Sequence, residues 1–312
     1  MTTFTVPVES LADVKDKVIL ITGGSSGIGL ATAELFLSLD ASNKISILDR
    51  SPPKTTESSP VSKPSNAQRV LFHQCNLTNW AEQRAGFAKT IERFGRLDAV
   101  FVNAGIAEYG DQFFRDEMDE TGQLKEPDRR VYDVDISAPN DTVKLAIYWM
   151  KKTLPQLGRT GSIVMTASLA GYLASAGAPL YSAAKHAIVG LMRALKNDTK
   201  TLNIAISVVA PAITLTPILS NPERRRNVDP AQWAGEMAKI GVPVNKPEIV
   251  GLAVGYLVQA GMKGNGQGLL IQKDRMVDFE HGLAKTRHIW MGKEMLDLFR
   301  GGRAAPLFEN KL

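Results

Sequence analysis

The chain has 312 residues, 44% hydrophobic and 22% charged, with 26 Gly, 16 Pro and one Cys, a globular composition that excludes collagen-like repeats, coiled coil and long disorder. Lys and Arg number 37 against 32 Asp and Glu, a net charge of +5, which suits a phosphate-bearing ligand and is too weak to indicate nucleic acid. Cys75 stands alone, so the chain has no intrachain disulfide and no cysteine-built metal site.

The opening MTTFTVPVES lacks the basic and apolar regions of a secretory signal. No apolar run approaches the roughly 18 residues of a membrane span, and a cytoplasmic location is expected. Residues 18–21 (VILI) read as a buried strand, residues 28–39 as a helix, and residues 45–48 (ISIL) as a second strand. Residues 51–66 are rich in Pro, Ser, Thr and Lys, the composition of an exposed loop. Strand-like runs recur at 69–74, 97–102, 162–167, 204–209 and 268–272, with helical stretches at 79–94, 129–152, 180–200 and 247–260. Continuously apolar strands alternating with helices predict an α/β fold with a parallel sheet covered on both faces. Right-handed crossovers make that sheet doubly wound, with seven strands. No repeat or linker interrupts it, so residues 1–275 are expected to form one dinucleotide-binding domain that includes the substrate site. Residues 276–312 carry Phe279, Trp290, Met291, Leu296, Phe299 and Leu307 among charges, the pattern of a packed tail or lid. The basic run Arg224-Arg225-Arg226 lies between Asn221-Pro222 and Asp229-Pro230 and reads as a solvated loop.

Between the first strand and its helix stands Thr22-Gly23-Gly24-Ser25-Ser26-Gly27-Ile28-Gly29. Glycines there let the backbone turn tightly against a pyrophosphate, which the helix N-terminus attracts with its free N–H groups and dipole. Gly23, Ser25, Ser26, Gly27, Ile28 and Gly29 are therefore candidate cofactor-binding residues. Asp49 ends the second strand about 20 residues later, where a carboxylate accepts both ribose hydroxyls and repels a 2′-phosphate. Arg50 beside it could hold such a phosphate. NAD is the expected cofactor and NADP the alternative.

Tyr181 and Lys185, in Tyr-Ser-Ala-Ala-Lys-His, are four apart and share a helix face. An ammonium beside a phenol favours the phenolate, which makes a tyrosine usable as proton donor and acceptor. Ser168 ends the fifth strand, where its hydroxyl could hold a substrate oxygen. The Tyr–Lys spacing alone says little; its weight comes from following the glycine turn and the strand-ending serine.

In that order of features the sequence resembles a single-domain short-chain dehydrogenase/reductase over about residues 15–272. The resemblance rests on the 22–29 turn, Asn103-Ala104-Gly105, Ser168, Tyr181 and Lys185. Ser168-Leu-Ala-Gly-Tyr172 together with residues 181–190 is similar to relatives of 15-hydroxyprostaglandin dehydrogenase. The family implies a Rossmann fold and an oxidoreductase interconverting a secondary alcohol and a ketone. It further implies Tyr181 as acid/base, Lys185 on the nicotinamide ribose, and Ser168 on the substrate oxygen. Asn103, Ala104 and Gly105 would line the cofactor. Asn76, followed by Leu77, stands where the family has an Asp that contacts adenine, and its amide oxygen could do the same. Pro211, Thr214 and Thr216 fit the segment that meets the nicotinamide carboxamide. Family members pair into homodimers or homotetramers through the helices at 129–152 and 180–200.

Three positions depart from the pattern. Pro211-Ala212 replaces Pro-Gly, and Lys273-Asp274-Arg275 replaces the glycines after the last strand. Asp135 occupies the place of the family's active-site Asn, whose main-chain carbonyl holds a water that relays protons from the lysine. Pro139 has no N–H for the carbonyl four residues earlier, that of Asp135, so the relay carbonyl is expected to be exposed whatever the side chain. A carboxylate near Lys185 would also keep that lysine protonated. The substrate pocket should be walled by residues 106–126, 169–179 and 212–240, with the tail able to close it. Tyr172, Leu173, Ile213, Leu215, Ile218, Leu219 and Trp233 suggest a hydrophobic small molecule. His73, His186, His281 and His288 have no metal-ligand spacing. The final Asn310-Lys311-Leu312 resembles the peroxisomal Ser-Lys-Leu signal. Two other functions fit the same residues: an NADPH-dependent ketoreductase of a biosynthetic pathway, and a non-catalytic cofactor-binding relative.

Overall fold

The computed structural model describes residues 2–219 and 230–302. Strands β1 (Val18–Thr22), β2 (Lys44–Asp49) and β3 (Val70–Gln74) step outward from the middle of the sheet. The chain then returns, and β4 (Ala99–Val102), β5 (Gly161–Thr166), β6 (Ile204–Pro211) and β7 (Gly268–Gln272) step out on the other side. The strand order is β3-β2-β1-β4-β5-β6-β7, all parallel, with an eighth strand, β8 (Arg275–Asp278), antiparallel beside β7. Thr22 of β1 stands level with Val102 of β4, and Val102 with Met165 of β5. The carboxyl ends of the central strands therefore share one edge at the point where the winding reverses, the crevice in which open α/β sheets bind ligands.

The strands are apolar at successive positions because helices cover both faces; every residue of β1 and β6 is buried. Ile19 and Ile21 face α1 (Gly27–Leu39) and α7 (Pro247–Ala260), joining Phe36, Val250, Val254 and Leu257. Leu20, pointing the other way, joins Phe87 of α2 (Trp80–Phe94), Val143 of α4 (Ala138–Thr153), and Ile188 and Met192 of α5 (Pro179–Thr201). α2 shows how the sequence sets an element's ends. Asn79 Oδ1 accepts the Ala81 and Glu82 N–H groups, and Gly95 stops the helix at φ +80° with its N–H on the Ile91 carbonyl. The short α3 (Arg130–Tyr132) runs into α4 through a π-type turn at Asp133–Ser137. α6 (Pro230–Lys239) lies within the stretch before α7.

The expected seven-stranded sheet is corrected to eight strands. The extra strand follows a two-residue hairpin turn in which Lys273 and Asp274 have φ of +51° and +58°, a conformation usually given to Asn-Gly. Asp274 is held from two sides: its N–H donates to Asn245 Oδ1 at 3.1 Å, and its Oδ1 accepts the Lys246 N–H at 3.0 Å. The outer edge of β8 exchanges main-chain hydrogen bonds with Phe4, 2.9 Å each way. After β8 come α8 (Phe279–Lys285), α9 (Arg287–Met291) and α10 (Lys293–Gly302). Phe279 meets the Tyr172 ring edge-on at 5.0 Å, and Glu280 pairs with Arg193 of α5 at 2.7 Å. Among the described residues no helix is long and apolar enough to cross a membrane. Arg224, Arg225, Arg226, Leu307 and the terminal Asn310-Lys311-Leu312 lie outside the described residues.

Candidate active site

The turn after β1 is built by close approach. Gly23 has φ +65°, and a Cβ on it would stand 2.8 Å from Ala104 Cα; a Cβ on Gly29 would stand 2.2 Å from the Gly23 carbonyl oxygen. Only glycine lets α1 sit this tightly on the turn. Ser26, the residue before the helix, makes no side-chain cap, so the first N–H groups of α1 are open toward the crevice. Ser25 Oγ is buried with no hydrogen-bond partner among the described residues. A glycine cradle, an uncapped helix start and an orphaned hydroxyl together fit the phosphates of a dinucleotide.

Asp49 and Asn103 frame this cradle. Asp49 Oδ2 accepts the Ser25 N–H at 3.1 Å, which aims the carboxylate along the turn. Asn103 ties three strand ends together. Its N–H donates to Thr22 Oγ1, its Nδ2 to the Thr22 and Gly23 carbonyls, and its Oδ1 accepts from Thr166. Asn76 Oδ1 already accepts the N–H and the hydroxyl of Thr78, so the amide oxygen expected to reach adenine is engaged within its own loop.

Beyond the cradle, Lys185 is enclosed. Its Nζ lies 3.0 Å from Asp135 Oδ2, 3.2 Å from the Thr166 carbonyl oxygen and 5.4 Å from the centre of the Tyr181 ring. Asp135 is fully buried, and its Oδ1 accepts the Ile106 N–H at 2.8 Å. Burial pulls the lysine down, but Asp135 and then Tyr181 overcome it, and Lys185 is held above the ordinary lysine value. Gly105 makes room for the pair, since a Cβ there would be 2.9 Å from Asp135 Oδ2 and 3.3 Å from Lys185 Nζ. Asp135 sits in the π-type turn, where the Ala138 N–H reaches back five residues to the Asp133 carbonyl, a distortion common at functional sites. Ser168 Oγ donates a long 3.4 Å hydrogen bond to the Pro211 carbonyl and accepts the Ala170 N–H at 3.2 Å.

A cavity of about 860 Å³ runs from the glycine turn to Tyr181. It is lined by Gly23, Ser26, Gly27, Ile28, Asp49, Arg50, Asn76 and Leu77 at one end. Asn103, Ala104, Gly105, Ser168, Tyr181, Lys185, Pro211, Thr214 and Thr216 line the rest. Of the expected site residues, Ser25, Gly29 and Asp135 do not line it. Gly29 packs on the turn and Asp135 stands behind Lys185.

The expected pocket wall needs correction. Ile213, Ile218 and Leu219 line the cavity, whereas Tyr172, Leu173, Leu215 and Trp233 do not. Tyr172 turns inward to Phe279 instead. Among the described residues, none beyond Gln272 lines the cavity. Glu108, whose Oε2 accepts the Tyr181 N–H at 2.9 Å, was not readable from the sequence. Its partner lies 73 positions away, and nothing in Ile-Ala-Glu-Tyr marks it.

The family model described as short chain dehydrogenase matches residues 17–227. The chain is 34% identical to short-chain dehydrogenase/reductase prx4 of Penicillium rubens, over 99% of this chain and 90% of that protein. It is 30% identical to short-chain dehydrogenase/reductase ATR7 of Stachybotrys chlorohalonatus, over 96% and 92% respectively. The solved structure of levodione reductase superposes with a TM-score of 0.67 at 25% identity, covering 83% of this chain and 97% of that one.

Proposed function

The chain belongs to the short-chain dehydrogenase/reductase family, whose members oxidise CH–OH groups or reduce the corresponding carbonyls with NAD(P), and from that premise we propose that it interconverts a secondary alcohol and a ketone on a small, largely apolar molecule, with NAD as cofactor and Tyr181 as acid–base group. The observation that carries this reading is the convergence of Ser168, Tyr181 and Lys185 on the cavity that begins at the glycine turn. When bound, the nicotinamide supplies the hydride acceptor or donor.

In the oxidative direction the Tyr181 oxygen takes the proton of the substrate hydroxyl; in reduction it returns a proton to the carbonyl oxygen. Ser168 holds that oxygen, its long bond to the Pro211 carbonyl being weak enough to exchange for a substrate. The Lys185 ammonium favours negative charge on the Tyr181 oxygen. Asp135 acts one step back, compensating the burial of that ammonium. Asp49, aimed by the Ser25 N–H, would accept the ribose hydroxyls of NAD and repel a 2′-phosphate. Arg50 at the same end of the cavity supports the second reading, an NADPH-dependent ketoreductase. The working form is proposed as a cytoplasmic homodimer or homotetramer paired through α4 and α5.

The test begins by titrating the protein with NADH and with NADPH, followed by nicotinamide fluorescence. NADH should bind more tightly; tighter NADPH binding favours the second reading, and binding of neither removes the dehydrogenase reading. Tyr181→Phe should then retain NADH affinity within about threefold and lose turnover by roughly 100-fold or more, the scale of removing a general acid–base group. Turnover is assayed on a panel of apolar ketones and alcohols.

A further inference from the structure

We propose that Glu108 is the positioning residue for Tyr181, holding the catalytic helix at a set distance from the loop that lines the cofactor site. This rests on the reading of Tyr181 as the acid–base group. α5 starts without a side-chain cap. The residue before it, Ala178, has no side-chain acceptor, and Pro179 has no N–H. The Tyr181 N–H is then one of the few helix-start donors without an intrahelical partner. Glu108 supplies the acceptor from the loop after β4, with Oε2 2.9 Å from the Tyr181 nitrogen.

The other carboxylate oxygen stands at the wall of the cavity, which Glu108 itself lines. Oε1 is enclosed and has no hydrogen-bond partner among the described residues. Leaving a buried oxygen unpaired is costly, although the positive end of the α5 dipole offsets part of that cost. A carboxylate held in place by one hydrogen bond to the main chain of Tyr181 is a clasp. It spans two pieces whose spacing the chemistry depends on. One is the loop that begins with Asn103, Ala104 and Gly105 along the cavity; the other is the helix that carries Tyr181 and Lys185. Misplacing a reacting group by about 1 Å can cost on the order of 100-fold in rate, so releasing the clasp should reach turnover before binding.

The probe reaction is NADH-dependent reduction of acetophenone, with NADH affinity and thermal stability measured alongside. Hydrogen exchange over residues 179–185 needs no substrate and is measured on the same samples. Glu108→Ala is expected to lower kcat by roughly 10- to 100-fold, with KM and NADH Kd within about threefold, and to speed exchange at 179–185. Glu108→Gln keeps an acceptor at the same reach and should restore both. Wild-type exchange and kcat in Glu108→Ala would overturn the proposal, as would a Glu108→Gln variant as impaired as the alanine one. Where Glu108→Ala does not fold, Glu108→Asp is compared with Glu108→Gln; the shorter side chain should lose the clasp and the longer keep it, and equal behaviour refutes it. Tyr181→Phe separates the two layers. If it stays active, the acid–base reading falls and this proposal with it; if it is inactive while Glu108→Ala behaves as wild type, only the positioning role falls.

Discussion

Opposing influences meet on Lys185. Burial works against its ammonium, and Asp135 at 3.0 Å restores it. Because Lys185 is held above its ordinary value, the pair's contribution to stability is complete below the ordinary lysine value and is lost as pH climbs through the raised one. The wild-type pair therefore persists across the neutral range. Asp135→Asn keeps an acceptor for the Ile106 N–H but removes the larger of the influences that oppose burial of the lysine, leaving Tyr181 and the Thr166 carbonyl. It should lose about 3 kcal/mol of stability in urea unfolding. Its pH–rate profile should fall off on the alkaline side, at pH values where the wild type still turns over. An unchanged profile would show that the carboxylate takes no part. Tyr181 and Lys185 are readable as a pair because one helix turn joins them, and Asp135 is readable only through a family position. Which atom of Asp135 meets the lysine is not readable, because the side chain reaches Nζ across a π-type turn that no local rule encodes.

Among the elements, α2 shows how closely helix and sheet are matched. A Cβ on Gly86 would come within 2.7 Å of Leu48 Cδ2 and 2.9 Å of His73 Cδ2. Gly86→Ala should thus destabilise by about 1–3 kcal/mol through overpacking, with kcat per folded molecule unchanged, as α2 holds no reacting group. Equal urea midpoints for variant and wild type would mean that α2 slides on the sheet without cost. Most element positions follow from runs of Val, Ile and Leu and from punctuation such as Asn79 and Gly95. β8 escapes that reading because its turn, Lys273-Asp274, has no glycine and is stabilised by Asn245, nearly 30 residues earlier.

At the scale of the whole molecule, Cys75 reports on integrity. It is fully buried, and burial, reinforced by Glu82 and Asp49, pushes its thiol up to about 12. Alkylation of the native protein near neutral pH should be negligible and should rise with the unfolded fraction in denaturant; labelling at a free-thiol rate without denaturant would reveal local opening around β3 and α2. The sequence by itself determined the doubly wound sheet, the glycine turn and the Ser–Tyr–Lys order, because each depends on apolar runs or on residues one turn or one strand apart. The eighth strand, the Asp135–Lys185 contact, the Glu108–Tyr181 clasp and the docking of the tail's described residues away from the cavity were decided only by the tertiary structure. Each joins groups that are distant along the chain, and their partners are chosen by which strand ends and helix starts the crossovers bring to the same edge of the sheet.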